Sequence, residues 1–121
     1  MILVDTSIWV DHFRAGDLAL STLLNDSRVA THPFVIGELA CGNLRQRAEV
    51  LRLLDALPKA PVASDREVLY FIERNRLMGR GIGYVDAHLL TATALGDGLR
   101  LWTRDRRLSG VAVDLGMAFD P

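Results

Sequence analysis

The chain lacks the features that mark secreted and membrane proteins. Cys41 is its single cysteine, so no internal disulfide can form, and no apolar run approaches the roughly 18 residues that span a bilayer. The amino terminus has no basic segment ahead of an apolar one, so we expect no signal peptide. A cytoplasmic protein is therefore expected, with Cys41 buried as a small apolar residue.

An excess of positive charge is also absent. The 14 arginine and lysine residues are balanced by 15 acidic residues, which gives a formal net charge of −1. Bulk charge therefore does not predict nucleic-acid binding, and any polyanionic partner must contact a local patch. Lys59 is the one lysine. The arginines suit bidentate phosphate contacts, although a biased genome composition would produce the same excess.

The length and the hydrophobic content fit one domain. The 121 residues, of which 50% are hydrophobic, are expected to fold as a single unit spanning residues 1–121. Short β-branched runs alternate with longer segments of helical periodicity, which is typical of βα units and predicts an α/β fold with a parallel sheet. The candidate strands are residues 2–5, 28–31, 60–63, 99–103 and 111–113.

The segments between these strands carry helix signals. Pro33 stands where the first residue of a helix is expected after the second strand. Residues 45–57 have helical periodicity, and Ser64 with Glu67 predicts a capping box at the start of another helix. The glycine-rich stretch 79–83 precedes a helix that is apolar nearly all round and is therefore expected to be buried.

Four acidic residues are predicted to meet at one edge of the sheet. Asp5 and Asp105 follow the first and the fourth candidate strand. Glu38 and Asp86 lie on helices that are expected to begin at the same edge. In open parallel sheets, ligands bind at the carboxyl ends of the strands. We call these four acids, Asp5, Glu38, Asp86 and Asp105, the acidic quartet.

Such a group of carboxylates favours a metal ion. Carboxylates packed together repel one another, and some would bind protons unless a cation neutralised them. Oxygen ligands without cysteine or clustered histidine favour a hard divalent ion, Mg²⁺, with Mn²⁺ as a substitute. A cation held by few protein ligands leaves positions for water and for a phosphodiester oxygen, so the predicted site suits phosphate chemistry.

Each of these residues also has an ordinary structural explanation. Asp5 alone would more often be a helix N-cap or turn residue, and Asp105 could pair with a neighbouring arginine. Glu38 and Asp86 could simply complement helix N-termini. The candidate phosphate contacts are Arg80, Arg104, Arg106 and Arg107. A solvated surface position is an equally good explanation for each of these arginines.

Four blocks of the sequence resemble the PIN-domain proteins and, more narrowly, the VapC family of toxin ribonucleases from bacterial type II toxin–antitoxin modules. The blocks are ILVDTSIWVDHFR, THPFVIGELACG, GRGIGYVDAHLL and LWTRDRRL, and they cover essentially the full length. Their order and spacing are a specific signal. The resemblance implies an α/β/α sandwich whose central five-stranded parallel sheet has the strand order 3-2-1-4-5.

The resemblance also implies roles for single residues. The acidic quartet matches the four acids of the family's catalytic site, with Asp5 and Asp86 as the usual metal ligands. Asp105 is implied as a third ligand, directly or through water. The hydroxyl residues that match supporting positions are Thr6, Ser7 and Thr103.

The activity implied by the resemblance is Mg²⁺-dependent hydrolysis of RNA phosphodiesters by a metal-activated water, and Glu38 would orient that water or a second metal ion. Similar toxins cut transfer or ribosomal RNA in exposed loops. The implied partners are an antitoxin, whose basic carboxyl-terminal segment would cover the acidic groove, and a second copy in a homodimer. Contact with DNA is expected only through the antitoxin, and no contact with a membrane is expected.

Three other interpretations stay open. Aspartyl-phosphate phosphatases and receiver domains also place an aspartate after the first strand, but Ser7 stands where a phosphatase needs an acid and Lys59 is poorly placed. A nuclease acting on DNA flaps would need an arch or an extension for which this short chain shows no signal. A non-catalytic PIN-like binding module could use the same acids only to dock a basic partner.

Overall fold

The computed structural model describes all residues from Met1 to Pro121. Three short parallel strands form its sheet in the spatial order β2-β1-β3: β1 (Ile2–Val4), β2 (Val29–Ala30) and β3 (Arg100–Trp102). The helices are α1 (Thr6–Ala15), α2 (Leu18–Asn25), α3 (Pro33–Ala40), α4 (Arg47–Ala56), α5 (Asp65–Asn75), α6 (Tyr84–Leu95) and α7 (Arg106–Asp114). The α/β class with a parallel sheet is therefore confirmed.

The strand β1 lies at the centre of both the sheet and the core. Leu3 pairs with Ala30 on one side and with Leu101 on the other, and every residue of β1 is buried. A central parallel strand is covered on both faces, which explains why its sequence is a continuous apolar run. One core cluster of 21 buried residues joins the strands to the helices. The residue that follows β1 consequently lies in the middle of the sheet edge.

The sheet has three strands, so the prediction of five is wrong. The expected third strand, residues 60–63, is reduced to a single parallel bridge between Thr31 and Lys59. Thr31 donates to the Pro58 carbonyl and accepts from the Ala60 N–H, and the next N–H groups needed on either side would be those of Pro58 and Pro33, which proline lacks. The segment therefore touches the sheet at one point and cannot extend the pairing.

The expected fifth strand, residues 111–113, is wrong for a different reason. These residues belong to α7, which buries Leu108 and Ala112. The spacing of four places both side chains on one helix face, and this pattern outweighs the β propensity of the valines. A single bridge between Leu101 and Ala118 takes the outer position instead. If the bridged segments at Lys59 and Ala118 are counted with the three strands and all five are numbered in chain order, their spatial order is 3-2-1-4-5, in which β3 is number 4.

The helix signals in the sequence are confirmed. Pro33 is the first residue of α3, and the helical segment predicted at 45–57 is α4, which runs from Arg47 to Ala56. The Ser64 side chain caps α5, and Glu67 bonds back to the Ser64 N–H, which completes the predicted capping box. None of the seven helices has the length and the apolar character required to cross a membrane.

Cys41 is exposed, so the prediction that it is buried is wrong. It is the C-cap residue of α3, and its N–H donates to the Gly37 carbonyl at 3.1 Å. The buried residue of this turn is Leu39. Two positions along a helix is slightly more than half a turn, so Cys41 lies on the opposite, outer side.

Candidate active site

Asp5 stands at the carboxyl end of the central strand. Its N–H donates to the Trp102 carbonyl at 2.9 Å, which extends the pairing of β1 with β3 by one residue. Only 6% of the residue is exposed. Although Asp5 occupies the N-cap position of α1, its side chain accepts no capping hydrogen bond. Helix capping therefore does not explain this buried carboxylate.

Two hydroxyl groups hold the Asp5 carboxylate by the same oxygen. Ser7 Oγ and Thr103 Oγ1 donate to Asp5 Oδ2 at 3.0 and 2.7 Å. Each hydroxyl oxygen also accepts a backbone N–H, from Arg104 to Ser7 at 3.1 Å and from Asp105 to Thr103 at 3.0 Å. Both hydroxyl protons are thereby directed at Oδ2, and no hydrogen bond from the protein reaches Oδ1.

Asp105 and Asp86 are likewise held by one oxygen each. Asp105 is the N-cap residue of α7, and its Oδ1 accepts the N–H groups of Arg107 and Leu108, both at 3.0 Å. Asp86 lies in the first turn of α6, and its Oδ2 accepts the Gly83 N–H at 3.0 Å. In both residues the second carboxylate oxygen is without a protein donor.

Glu38 joins the site from α3. Its Oε1 accepts a hydrogen bond from Thr6 Oγ1 at 2.7 Å, which links α3 to the first turn of α1. The residue is exposed, and Oε2 has no protein donor. The two adjacent hydroxyl residues therefore have different contacts, since Thr6 holds Glu38 whereas Ser7 holds Asp5.

The members of the acidic quartet are close enough to influence one another electrostatically. Burial raises the pKa of Asp86 above its ordinary value, and the charges of the other three acids raise it further, while the Gly83 hydrogen bond opposes the shift. None of the four acids takes part in an ion pair. The quartet is therefore a concentration of negative charge that no basic side chain of the protein neutralises.

The donor chemistry fits a hard divalent cation that is bound through few protein ligands. Each acid of the quartet offers one oxygen to which no protein group donates. No three histidine, cysteine, aspartate or glutamate side chains are grouped closely enough to hold a metal ion by themselves. Mg²⁺ commonly takes one or two carboxylates and completes its octahedral shell with waters and substrate phosphates. The arrangement suits that mode of binding and does not suit a closed site such as structural zinc requires.

Two of the candidate arginines are engaged in ion pairs. Arg80 Nη2 lies 2.7 Å from Asp114 Oδ2. Arg104 contacts Asp11 through Nη1 at 2.7 Å and contacts Asp17 through Nη2. Both guanidinium groups are therefore occupied by acids that lie outside the quartet.

The other two candidate arginines are in the first turn of α7 and form no ion pair. Arg107 covers Gly81, in the loop before α6. A Cβ atom at Gly81 would stand 2.7 Å from the Arg107 Cδ and 2.9 Å from its Nη1, so only glycine allows this contact. Arg106 is exposed. Both arginines thus remain available to a phosphate beside Asp105.

A pocket of about 620 Å³ adjoins the quartet at Glu38 and Thr6. Its other walls come from α1, from the start of α4 and from the loop 41–46. The sequence analysis did not predict this pocket, because it exists only where α1, α3 and α4 pack together. The one available signal was the three polar residues Asn43, Arg45 and Gln46 in the segment between the two helices.

Comparison with known proteins agrees with this architecture. The family model of the PIN domain matches residues 2–114. The protein named Ribonuclease VapC32 from Mycobacterium tuberculosis, in strains CDC 1551 / Oshkosh and H37Rv, is 52% identical over 118 residues, which are 98% of this chain and 95% of that protein. The crystal structure of PAE2754 from Pyrobaculum aerophilum matches with a TM-score of 0.67 at 19% identity, covering 98% of this chain and 87% of that one. This last likeness concerns the fold alone.

Proposed function

Because the chain belongs to the PIN-domain family, and within it to the VapC ribonuclease toxins, we propose that it is a metal-dependent endoribonuclease and the toxin of a type II toxin–antitoxin pair. The observation that carries the proposal is the acidic quartet. Its four carboxylates influence one another, lack basic partners and each present one oxygen without a protein donor. We propose that the bond hydrolysed is an RNA phosphodiester.

In the proposed mechanism, Asp5 and Asp86 would hold Mg²⁺, and Asp105 would contact it directly or through water. Bound Mg²⁺ would lower the pKa of a coordinated water and offset charge on the phosphodiester, a role that Mn²⁺ can share. Ser7 and Thr103 occupy Asp5 Oδ2, so Oδ1 is the atom left for the cation. These two hydroxyls thus orient a ligand, as outer-shell partners of metal sites do.

Glu38 is proposed to position the attacking water. Thr6 holds its Oε1, and its Oε2 has no protein donor, so the carboxylate is oriented and still has one oxygen for a water. The residue is exposed, which gives substrate and solvent access to it. A carboxylate in this position can also accept the proton that the water loses on attack.

Among the candidate arginines, Arg106 and Arg107 are the better supported phosphate contacts. Neither forms an ion pair, and both lie in the turn that Asp105 caps. Arg80 and Arg104 would first have to leave their acidic partners. Phosphate contacts of this kind position RNA without reading its sequence.

The proposed protein partners follow from charge and apolar surface. A basic segment of a cognate antitoxin would neutralise the quartet in place of the cation and would so block the site. Any DNA contact would then belong to the antitoxin. A homodimer is proposed because large apolar side chains are exposed on α5, with Leu69 at 58% and Tyr70 at 67% exposure.

The proposed substrates are transfer or ribosomal RNA, cut in the cytoplasm. Sequence-specific recognition of RNA relies on unpaired loops whose bases can be turned outward. A site on an open sheet edge, with Glu38 and Asp105 exposed, can receive such a loop. A fully enclosed pocket could not.

The proposal is tested by cleavage assays with Asp5→Asn and Asp86→Asn on bacterial transfer and ribosomal RNA in Mg²⁺. Each variant keeps the side-chain shape and removes one ligand charge. We expect a rate loss of more than about a hundredfold, since even outer-shell partners of metal ligands contribute roughly 10–100-fold. Chelation should stop wild-type cleavage, and added Mn²⁺ should restore it.

The matched control is Asp97→Asn, an exposed acid in no ion pair, which should keep the wild-type rate. Cleavage that persists in chelator or in Asp5→Asn would rule out the metal mechanism. A wild-type protein that cuts neither RNA would favour the non-catalytic binding module.

A further inference from the structure

The pocket beside the quartet has the size and the lining of a nucleotide-binding site. We propose that this pocket, called here the α1–α4 pocket and bounded by α1, the end of α3, the loop 41–46 and the start of α4, binds one unpaired nucleotide of the RNA next to the scissile phosphate. Through this contact it sets the base preference of cleavage. The inference rests on the proposed ribonuclease function.

The position of the pocket connects it to the reaction. Glu38 and Thr6, which are hydrogen-bonded to each other at 2.7 Å, belong both to the quartet region and to the pocket wall. Its volume of about 620 Å³ falls within the range of roughly 300–1,000 Å³ typical of small-molecule sites. A phosphodiester at the quartet would therefore have its neighbouring nucleotide at the mouth of this pocket.

An aromatic ring on α1 offers a stacking surface. Phe13 lines the pocket and is 37% exposed. Its ring stacks on Trp9, with centroids 5.6 Å apart and an interplanar angle of 26°. This contact holds the ring in place between the pocket and the adjacent apolar groove, both of which Phe13 lines. Unpaired RNA bases are commonly bound by stacking on such rings.

Two side-chain amides provide hydrogen-bonding groups that the protein itself does not use. Asn43 and Gln46 line the pocket, and the Gln46 side chain makes no capping bond to α4. An amide has both donors and an acceptor, so it can pair with the edge of a base. Gln46 adopts the left-handed conformation, with φ 51° and ψ 46°, as Ser27 and Arg76 also do in this chain.

Two arginines bring unneutralised positive charge to the same pocket. Arg14 and Arg45 line it, and neither is paired with a carboxylate. A guanidinium suits the phosphate of a neighbouring nucleotide. Arg47 fixes the loop, because it donates to the carbonyls of Gly42 at 3.1 Å and Ala40 at 2.5 Å. The loop that carries Arg45 is thereby anchored to the end of α3.

The composition of the lining favours a nucleotide over an apolar peptide segment. An apolar occupant would cover the amides and guanidinium groups without satisfying them, which is unfavourable. The adjacent groove lined by Trp9, Leu53 and Leu57 is apolar except for His12 and has neither amide nor guanidinium groups. A base with its phosphate satisfies the aromatic, amide and cationic groups of the α1–α4 pocket together.

The experiment sequences the ends produced from a random single-stranded RNA pool and measures KM and kcat on one cleaved oligonucleotide. Arg45→Ala should raise KM about tenfold with little change in kcat, because it removes a phosphate contact used in binding. Asn43→Ala and Gln46→Gly should flatten the base preference at one position beside the cut. Gln46→Gly keeps the left-handed backbone without a side chain, so the loop should still fold.

The control is Arg74→Ala, an exposed residue on α5 in no ion pair, which makes the same change of charge away from the pocket. Thermal melting confirms folding of each variant. If the pocket variants keep the wild-type KM and base profile while Asp5→Asn is inactive, the inference is overturned and the ribonuclease function stands. The inference is also overturned if these variants cut RNA normally but no longer retain a co-expressed antitoxin. A wild-type protein without ribonuclease activity contradicts the proposed function itself.

Discussion

In each carboxylate of the quartet, the protein donates hydrogen bonds to one oxygen atom and leaves the other without a donor. Asp5 receives both of its hydroxyl donors on Oδ2, and each hydroxyl is itself oriented by a backbone N–H. Thr103 has a central place in this arrangement because it touches two acids. Its hydroxyl donates to Asp5 and accepts from the N–H of Asp105. One side chain therefore positions the ends of two neighbouring strands.

Replacement of this hydroxyl gives a prediction at the scale of one residue. Thr103→Val keeps the shape and removes the donor to Asp5, so the Mg²⁺ concentration for half-maximal cleavage should rise roughly 10–100-fold. The affinity for RNA without Mg²⁺ should change little. Thr93→Val is the control, since the Thr93 hydroxyl bonds only to the Leu89 carbonyl in its own helix. An unchanged Mg²⁺ dependence in Thr103→Val would show that the hydroxyl does not orient the ligand.

At the scale of elements, one arginine connects the turn after β3 to the first two helices. Arg104 contacts Asp11 on α1 and Asp17, the N-cap residue of α2. Its own N–H bonds to Ser7, which holds Asp5. The ion pairs thus fix the segment that carries Thr103 and Asp105. They support the site although they lie outside it.

The Asp17 ion pair predicts a pH dependence of stability. The hydrogen bond from Arg104, and after it the Leu20 N–H, lowers the pKa of Asp17 below its ordinary value of 3.8. The ionised carboxylate therefore stabilises the fold above that pH, and this contribution is lost as the pH falls through the lowered pKa. Asp17→Asn keeps a capping oxygen but should lose about 0.5–1 kcal/mol of unfolding free energy at pH 7.

The measurement is urea unfolding of wild type and Asp17→Asn between pH 7 and pH 3. The difference between the two proteins should be largest at pH 7 and should narrow as the pH falls below 3.8, towards the lowered pKa of Asp17. Asp97→Asn, at an exposed position, should show no comparable difference at any pH. A gap that stays constant down to pH 3 would contradict the role of the Asp17 charge.

In the molecule as a whole the net charge is only −1, but the acidic and basic side chains are unevenly distributed over the fold. Four acids from distant parts of the chain share the carboxyl edge of one sheet without a basic partner, while many arginines lie elsewhere. The pKa of Asp86 is raised because burial and the charges of the other three acids make its ionisation less favourable in the folded protein than in an exposed aspartate. The fold therefore loses stability at the place where it is proposed to bind a cation.

The unfavourable charge of Asp86 predicts that Asp86→Asn is more stable than wild type without a metal ion and less stable than wild type with Mg²⁺. Because the folded pKa of Asp86 is raised, its ionisation destabilises the fold at neutral pH, and the cost disappears at a pH where it is protonated in both states. In chelator at pH 7, Asp86→Asn should melt on the order of a few degrees higher than wild type. At pH 3 the two should melt together.

Added Mg²⁺ should make wild type melt at a higher temperature than Asp86→Asn. A cation at a hundred times its dissociation constant stabilises the protein that binds it by about 2.7 kcal/mol, so wild type should gain and Asp86→Asn should gain little. Differential scanning calorimetry with and without Mg²⁺ measures both effects. If Mg²⁺ raises the melting temperature of both proteins equally, Asp86 does not bind the cation.

The sequence alone determined the features that depend on local spacing. The helix start at Pro33, the capping box from Ser64 to Glu67 and the placement of Asp5 after an apolar strand each follow from a few adjacent residues. The quartet was predicted because parallel strands bring their carboxyl ends to one edge. Local pattern failed at 111–113, where a helical stripe and β-branched residues gave competing signals.

Only the tertiary structure decided which atoms meet across the chain. Ser7 and Thr103 are 96 residues apart, yet both donate to Asp5, and Arg104 reaches acids on α1 and α2. The α1–α4 pocket likewise exists only once three helices have packed. Such contacts depend on the packing of whole elements, which no short stretch of sequence contains. The sequence therefore specified the chemistry of the site, and the fold specified its geometry.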